Sequence, residues 1–516
     1  MKTSVNVNTH NRWFSTNHLK DNLKSKAVKG GFNTIGGQGI SFALTLLSTA
    51  LMARLLTPED YGLVMMVTAI TGFITIFQNL GLSSAIIQKE SISQEQVNAI
   101  FWVNVLISLG IALIVASLAP LLVYLYGENR LFNITLVFSL SIFFAGFAPQ
   151  HYALLKRQMN FKALSLIQIG STIISVVIGI ALAYTGFGYW AIVASLISKT
   201  VISTIGVWLA CDWRPGFSFN SSKINSFLKF GSGIAAFDLI NYFSRNLDKV
   251  LIGKYTGSVA LGLYSKAYQL LLLPITLLRD PLNSVALPAL SSLQNDKEKF
   301  RSFYKRFIFT LSFFSMPLVI YLAVFSEELI ILLLGEKWVS ASYVFKLLAI
   351  SSFIQPVETT RGLVMTATGK TKRHFVWGVF NAIFVITGFL IGIKWGMEGV
   401  AISYAIVNYL ILLPSLKYGF KGTPITVSLF FNEIVLSITF SILAGVAMFV
   451  FRYYFVSLPP LALFSLGFLV GFSVYLALWQ LNKVTKNKFQ HISELRHTIF
   501  KKTQESDLLI EDPSNL

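Results

Sequence analysis

Residues 98–123 read NAIFWVNVLISLGIALIVASLAPLLV and contain no charged side chain. A helix of about 20 apolar residues crosses the hydrocarbon core of a bilayer, and this stretch is longer than that. The whole chain has the same character, because 54% of its 516 residues are hydrophobic and only 13% are charged, against roughly 25% charged in soluble domains. The sequence therefore predicts a helical integral membrane protein and argues against a cytosolic enzyme.

Apolar segments of similar length recur along the chain and predict an all-α integral membrane protein with about 14 transmembrane helices. A mean hydropathy of +0.65 agrees with this prediction. The predicted spans lie near 30–53, 62–85, 98–123, 131–150, 164–185, 189–211, 227–251, 263–287, 306–325, 342–365, 375–393, 399–416, 428–450 and 459–481.

The spans and the polar segments between them predict a division of the chain into domains. We expect a cytoplasmic N-terminal segment (1–29), an N-terminal six-helix bundle (30–211), a cytoplasmic linker (212–226), a C-terminal six-helix bundle (227–418), transmembrane helices 13 and 14 (428–481) and a cytoplasmic tail (482–516).

The distribution of basic residues tests the orientation, because short cytoplasmic loops of membrane proteins are enriched in Lys and Arg. If the N-terminus is cytoplasmic, 29 of the 42 basic residues lie in cytoplasmic segments, counting Lys229 and Arg306 at the span ends. The outer loops hold 6, and the remaining 7 lie inside spans. Both termini are therefore predicted to be cytoplasmic, and topology explains most of the net charge of +19 without a nucleic-acid partner. Cys211 is the one cysteine and the six histidines are scattered, so no metal or other cofactor is expected.

The chain also contains an internal repeat. One match, at a displacement of 200 residues without a gap, pairs Lys29, Gly31, Arg54, Gly62 and Leu63 with Lys229, Gly231, Lys254, Gly262 and Leu263. A second match, at a displacement of 210 residues, pairs Gly186 with Gly396. Both copies of the repeat begin on the cytoplasmic side, so the sequence predicts a parallel repeat of two bundles related by an axis along the membrane normal.

Four stretches carry a family resemblance: ARLLTPEDYGL at 53–63, NYFSRNLDKVLIGKYTGSVALGLYSKAYQL at 241–270, LPALSSLQ at 287–294 and LLGEKW at 333–338. They resemble the Wzx-type polysaccharide flippases, in the branch of colanic-acid and teichuronic-acid exporters within the multidrug/oligosaccharidyl-lipid/polysaccharide exporter superfamily. The likeness runs from about residue 25 to about residue 480. It implies two six-helix bundles in a V shape, plus the two extra helices.

The resemblance also implies a function. The protein would be no enzyme but a flippase of a bacterial cytoplasmic (inner) membrane, moving an undecaprenyl-diphosphate-linked oligosaccharide repeat unit to the outer leaflet by alternating access. Its partners would be this lipid-linked oligosaccharide, membrane lipid and polysaccharide polymerase machinery. Coupling to H⁺ or Na⁺ is left open.

Ionisable residues inside spans are costly and usually face water or a partner, so they are the first candidates for function. Arg245 is the first candidate for contact with a phosphate or an acidic sugar, because a guanidinium offers paired donors to such anions. The charges embedded in the two bundles sum to +3, which suits a diphosphate or an acidic glycan better than a cationic drug. The predicted set, called the charged set because eight of its ten members are ionisable, comprises Lys199 in span 6, Asp238, Asn241, Arg245 and Asp248 in span 7, Lys266 and Gln269 in span 8, and Lys346, Glu358 and Arg361 in span 10.

Neutral hydrogen-bonding residues on spans 1 and 2 form a second set, suited to sugar hydroxyls. Together the two sets predict a water-filled cavity between the bundles, with a charged C-terminal wall and a neutral N-terminal wall. The neutral set comprises Asn33, Ser41, Thr45, Thr71, Thr75 and Gln78.

Each assignment has a structural alternative. Arg245 with Asp248, and Glu358 with Arg361 at a spacing of three, can be ion pairs that hold helices together. The hydroxyl faces can equally be helix-packing surfaces. For the whole protein the alternative is a cation-coupled multidrug antiporter of the same fold, which would depend on acidic residues such as Asp238 or Glu358. A membrane-embedded polymerase or ligase is a third reading, but no catalytic constellation stands out in the short outer loops.

Overall fold

The computed structural model describes residues 13–14, 23–72, 86–87, 92–217, 225–481 and 485–486. Side chains are described from residue 36 onward in the first helix, and between residues 225 and 245 only at Tyr242. The regular structure in these ranges is helical, and they contain no β-strand. This confirms the predicted all-α fold.

The described residues form 17 α-helices, numbered here in chain order. Two single 3₁₀ turns, Glu336–Trp338 and Ile393–Trp395, lie between them. The helices are α1 (Leu23–Leu55), α2 (Pro58–Thr71), α3 (Gln94–Ser117), α4 (Ala119–Tyr126), α5 (Arg130–Ala145), α6 (Pro149–Arg157), α7 (Phe161–Tyr184), α8 (Tyr189–Ala210), α9 (Asn225–Ser292), α10 (Lys297–Val324), α11 (Ser326–Leu334), α12 (Ala341–Glu358), α13 (Thr360–Ala367), α14 (Thr371–Gly392), α15 (Gly396–Phe420), α16 (Val427–Tyr454) and α17 (Pro460–Gln480).

Local sequence signals begin and end these helices. Thr57 and Asp60 form a capping box at the start of α2, and Pro58 occupies the first turn, where a missing N–H costs nothing. Gly127 ends α4 in the left-handed conformation with φ of 69°, which glycine adopts without steric strain. Gly257, with φ of 87°, interrupts α9.

Ten segments of the described chain are long and apolar enough to cross a membrane, so the protein is a multi-pass membrane protein. Two of these segments, Asn246–Ser292 and Thr371–Phe420, have 47 and 50 residues, whereas about 20 residues suffice for one crossing. Gly257 interrupts the first segment and the 3₁₀ turn at Ile393–Trp395 interrupts the second, so each has room for two crossings. The total of 14 spans stays a prediction, because α2 reaches the edge of the described residues.

The chain folds into two compact units. The first comprises the described residues up to Lys266, with Leu333–Ala341 and Gly378–Ser403. Within it, α1 packs on α7, α7 on α8, α3 on α5, and α2 on both α5 and α8. The predicted boundaries of the two bundles and of the linker stay predictions.

Two aromatic residues anchor the N-terminal segment to the first unit. Trp13 and Phe14 are buried in a core that surrounds the fully enclosed Trp213. The guanidinium of Arg157, itself buried at the end of α6, donates hydrogen bonds to the carbonyl oxygens of Phe14 (3.1 Å) and Ile86 (2.9 Å). Arg157 is one of the basic residues counted in the predicted cytoplasmic segments, and in the structure it links three segments of the chain.

The second unit comprises Ala267–Leu332, Ser342–Trp377 and the described residues from Tyr404 onward. Helices α16 and α17, which correspond to the predicted extra spans 13 and 14, pack against α10 in its core. The Tyr321 hydroxyl on α10 donates to the Phe464 carbonyl on α17 at 2.8 Å. The two extra spans are therefore an integral part of this unit.

Candidate functional site

The predicted site residues fall into three groups by position. Lys266, Asp248, Lys199, Ser41, Thr45 and Thr71 are described in the first unit, and Gln269, Lys346, Glu358 and Arg361 in the second. The remaining predictions lie outside the described side chains: Asn33, Thr75, Gln78, Asp238, Asn241 and Arg245.

Asp248 on α9 is a buried carboxylate with two donors. The hydroxyl of the buried Tyr264 donates to its Oδ2 at 2.8 Å, and the backbone N–H of Lys249 donates to its Oδ1 at 2.7 Å. The Lys249 ammonium donates to the Asn246 amide oxygen at 2.9 Å. Asp248 is thus held within the α9 region of the first unit, while the predicted pairing with Arg245 lies outside the described side chains.

Lys266 is a buried basic side chain that lies over an aromatic ring. Only 7% of Lys266 is exposed, and its Nζ lies 3.9 Å from the centre of the Tyr61 ring. The Tyr61 ring in turn meets the Trp338 indole edge to face at 5.3 Å, and the Trp338 Nε1 donates to the Ala53 carbonyl at 2.8 Å. An ammonium over an aromatic face is stabilised by the ring quadrupole, most strongly when water is excluded.

The neutral residues of spans 1 and 2 bond largely to their own helices. The Thr45 hydroxyl donates to the Ser41 carbonyl at 2.7 Å, and the Thr71 hydroxyl donates to the Val67 carbonyl at 2.9 Å. The Ser41 hydroxyl is buried and makes no hydrogen bond within the described residues. Each Thr hydroxyl oxygen retains acceptor capacity, so this geometry fits both helix packing and contact with sugar hydroxyls.

Glu358 and Arg361 form the ion pair that their spacing predicted. The Arg361 Nε donates to the Glu358 Oε1 at 2.9 Å, and the Ser415 hydroxyl of α15 donates to the same oxygen at 3.1 Å. The Arg361 side chain is 9% exposed and that of Glu358 22%. Gly419 leaves room for the Arg361 stem, because a Cβ there would overlap it.

The neighbours of this pair were not found from the sequence. The Arg361 guanidinium carbon lies 5.5 Å from the centre of the Trp377 ring on α14, and His374 is close enough to interact electrostatically with Arg361 and Glu358. Within the described residues, no hydrogen bond is made by Arg361 Nη1, Trp377 Nε1 or His374 Nδ1. Buried nitrogens without partners are rare and call for an acceptor such as water or an anion. We call Glu358, Arg361, His374, Trp377 and Ser415 the Arg361 cluster.

The other described residues of the charged set take less enclosed positions. Lys199 is exposed on α8, while Gln269 on α9 and Lys346 on α12 are half-buried. The structure brings Glu358 and Arg361 together, and their roles, like those of the other site residues, stay predictions.

The repeat identified in the sequence appears as a reciprocal contact in the first unit. A Cβ at Gly62 would overlap the carbonyl oxygen of Ser258, and a Cβ at Gly262 would overlap the carbonyl oxygen of Pro58. Gly62 and Gly262 are separated by the repeat displacement of 200 residues, as are Pro58 and Ser258. The first turn of α2 and its counterpart in α9 therefore touch backbone to backbone, through the residues that carry the family resemblance.

Residues 51–343 match the model of a protein family described as "Polysaccharide biosynthesis protein". The match covers more than half of the chain. The chain belongs to this family. The resemblance found in the sequence is confirmed, and this member of the polysaccharide biosynthesis family has its buried charges within and close to the matched region.

Individual relatives agree with the family. The chain is 26% identical to the teichuronic acid biosynthesis protein TuaB of Bacillus subtilis (strain 168) over 405 residues, which cover 76% of this chain and 82% of that protein. It is 25% identical to the succinoglycan biosynthesis transport protein ExoT of Rhizobium meliloti (strain 1021), over 70% of this chain and 73% of that protein. Among solved structures, the lipid II flippase MurJ in an inward closed conformation has a TM-score of 0.68 at 19% identity, covering 86% of this chain and 96% of that one. At this identity the last likeness concerns the fold.

The described residues offer no candidate metal centre, since they contain no group of three or more His, Cys, Asp or Glu side chains that could hold an ion. The polar groups of the site are paired charges, hydroxyls and aromatic faces. Such groups can bind and orient a polar, negatively charged or sugar-containing molecule.

Proposed function

We propose that this protein translocates an undecaprenyl-diphosphate-linked oligosaccharide from the cytoplasmic to the outer leaflet of a bacterial inner membrane, for the synthesis of a surface polysaccharide. Family membership carries this proposal. It is supported by relatives whose names assign them to teichuronic acid biosynthesis and succinoglycan transport, and by the fold shared with a lipid II flippase.

The energetic barrier to this translocation explains why the protein would need buried polar side chains. A diphosphate and several sugars must cross about 30 Å of hydrocarbon. An unpaired hydroxyl placed there costs several kcal/mol, and an ionised phosphate costs far more. Polar side chains inside the membrane lower this barrier by replacing water around the headgroup, while the polyprenyl chain remains in lipid.

We assign the headgroup to the charged set and the sugars to the neutral set. Arg245, Lys266 and Arg361 are the proposed contacts for phosphate or acidic sugar oxygens. Lys266 is suited to this role because it is a buried ammonium on an aromatic face, and Arg361 because its Nη1 retains donor capacity. The complete proposed lining consists of Lys199, Asp238, Asn241, Arg245, Asp248, Lys266, Gln269, Lys346, Glu358 and Arg361, with Asn33, Ser41, Thr45, Thr71, Thr75 and Gln78 facing the sugars.

In this proposal the protein is a transporter rather than an enzyme, works by alternating access, and has both termini in the cytoplasm. Its partners are the lipid-linked oligosaccharide, the surrounding lipid and the polymerase machinery that consumes the flipped product. Alternating access is proposed because the fold is shared with transporters, including one solved in an inward closed form.

Complementation of a deletion strain tests the residue assignment. Arg245→Ala and Lys266→Ala are expected to abolish surface polysaccharide while the protein remains at wild-type levels in the membrane. Arg279→Ala is the matched control, because Arg279 pairs with the exposed Asp280 at 2.9 Å near a predicted span end. Normal polysaccharide in the Arg245 and Lys266 variants would remove both residues from the proposed lining.

The same deletion strain also tests the alternative function, a cation-coupled multidrug antiporter. If Glu358→Gln abolishes dye efflux and leaves the polysaccharide unchanged, the protein is a drug antiporter and the flippase proposal is wrong. We expect instead that Glu358→Gln lowers surface polysaccharide and leaves dye efflux unchanged.

A further inference from the structure

The second unit carries a concentration of basic residues at one end of α10, α14 and α15. They come from three segments that are far apart in the sequence, at 296–306, 370–373 and 417–424. We call them the basic surface: Lys297, Lys299, Arg301, Lys305, Arg306, Lys370, Lys372, Arg373, Lys417 and Lys421.

Hydrogen bonds from basic side chains to backbone carbonyls join the three segments. The Arg301 Nε donates to the Pro424 carbonyl at 2.6 Å. Lys370 donates to the carbonyl oxygens of Lys421 (3.0 Å) and Gly422, and Arg373 donates to those of Lys421 (2.5 Å) and Tyr418. The surface is thus built by the fold and is not a set of independent loop charges.

The charge of this surface is high and poorly compensated. Its ten basic residues face only Asp296 and Glu298 within the same segments, which leaves a net charge of +8. Helices α10 and α14 begin here, and their N-termini add positive potential. Burial and the neighbouring Arg373 guanidinium lower the pKa of Lys370, as expected where cations crowd together.

The predicted orientation alone does not require this concentration. The corresponding segments of the first half, between spans 2 and 3, 4 and 5, and 6 and 7, contain six basic and three acidic residues, a net charge of +3 against +8. One of the six is Arg157, which is buried against backbone carbonyls. The first half therefore shows the same basic bias with a smaller excess of charge.

We propose that the basic surface binds the phosphate headgroups of anionic phospholipids in the leaflet that it faces. Clusters of four to eight basic residues next to membrane helices typically bind anionic lipid. The aromatic pair at its edge fits the same location, because Trp and Tyr collect at the membrane–water boundary. The Trp377 and Tyr418 rings lie 5.5 Å apart, and the Arg373 guanidinium carbon lies 4.7 Å from the Tyr418 ring centre.

The breadth of the surface favours bulk phospholipid over the transported lipid. A single diphosphate would engage two or three cations, whereas ten are arranged here around the ends of several helices. The proposal does not depend on the flippase function, since lipid binding would anchor and stabilise the second unit in any transporter of this fold.

Lipid dependence of the full-length protein tests the proposal. The thermal midpoint of the purified protein is measured in phosphatidylcholine nanodiscs with increasing phosphatidylglycerol. The test variant is K305Q/R306Q/K372Q/K417Q, which spares the residues that join the segments. The matched control is K156Q/K162Q/K483Q/K486Q, which removes four charges from other predicted cytoplasmic segments.

We expect phosphatidylglycerol to raise the midpoint of the wild type and of the control, with the effect weakened by salt. The apparent affinity of the test variant for phosphatidylglycerol should fall at least about a hundredfold, since each charge near the surface contributes roughly fivefold, so its midpoint should stay nearly constant up to pure phosphatidylglycerol. If the test variant does not fold, K372Q/K417Q against K156Q/K162Q makes the same comparison, with an expected loss of more than about tenfold.

Equal responses of test and control variants, or no response of the wild type, would overturn the proposal. So would stabilisation by farnesyl diphosphate but not by phosphatidylglycerol, since the surface would then serve a diphosphate lipid.

Discussion

At the scale of single residues, the Arg361 cluster shows how a buried charge is kept in an apolar unit. Arg361 is held by Glu358 on one side and by the Trp377 ring on the other, and Ser415 supplies a further donor to the carboxylate. Removing one partner of such a pair leaves an uncompensated buried charge, which costs more than the pair itself contributes. This asymmetry allows a structural role and a substrate-binding role to be separated.

Arg361→Ala is expected to lower the free energy of unfolding by about 3 kcal/mol, because it leaves the half-buried Glu358 carboxylate without its cation. In the double variant Glu358→Gln/Arg361→Gln no charge is stranded, so most of this stability should return. We expect transport to stay lost in the double variant, because the proposed anion contact is gone. Thermal melting and surface polysaccharide levels are measured in parallel, and recovery of both would make the pair purely structural.

Gly62 and Gly262 are residues whose lack of a side chain is essential. Gly62→Ala places a Cβ on the Ser258 carbonyl and should destabilise the protein by about 1–3 kcal/mol, the typical cost of overpacking. Gly110→Ala in α3 is the control, because a Cβ there meets nothing within 4 Å and a helical alanine is favoured by about 0.5–1 kcal/mol. Equal thermal midpoints for the two variants would show that the α2–α9 backbone contact is not tight.

At the scale of elements, the Trp13–Phe14 anchor ties the N-terminal segment to the end of α6. It could not be predicted, because an isolated Trp-Phe pair in a polar segment has no periodicity, and its receptor is assembled from residues near 86, 101, 157 and 213. Helices were predictable for the opposite reason. Long apolar runs and capping residues such as Thr57 are local signals that need no tertiary information.

Loss of the anchor is expected to expose the N-terminal segment. Trp13→Ala removes a large buried side chain, for which about 3–5 kcal/mol of local stabilisation is typical. Arg157→Ala leaves the carbonyl oxygens of Phe14 and Ile86 without this donor. Limited proteolysis should cut the N-terminal segment faster in both variants than in Lys156→Ala. This variant is the control, because Lys156 is the neighbour of Arg157 in the sequence and its side chain is exposed. Unchanged cleavage would mean that the anchor does not hold the segment.

At the scale of the whole molecule, composition and charge predicted an all-α membrane protein. The repeat at a displacement of 200 residues was also visible in the sequence, but the contacts of Gly62 with Ser258 and of Gly262 with Pro58 are shown by the structure alone.

The site was less predictable. The spacing of Glu358 and Arg361 in predicted span 10 indicated their pairing, and the structure places them on the consecutive helices α12 and α13. In contrast, His374, Trp377 and Ser415 reach the pair from α14 and α15. The sequence showed that span 7 carries several charged residues, but it could not show which groups of the protein or of a ligand contact them.

The leaflet that holds the lipid-linked oligosaccharide is the most direct test of the proposed function. The accessibility of the oligosaccharide to a membrane-impermeant oxidant of sugars is measured on cells whose outer membrane has been permeabilised and whose inner membrane is intact. The measurement is made with the protein present and after its depletion. We predict that the oligosaccharide reaches the outer leaflet only when the protein is present and accumulates on the cytoplasmic leaflet when it is depleted. An outer-leaflet fraction that does not change on depletion would contradict the account.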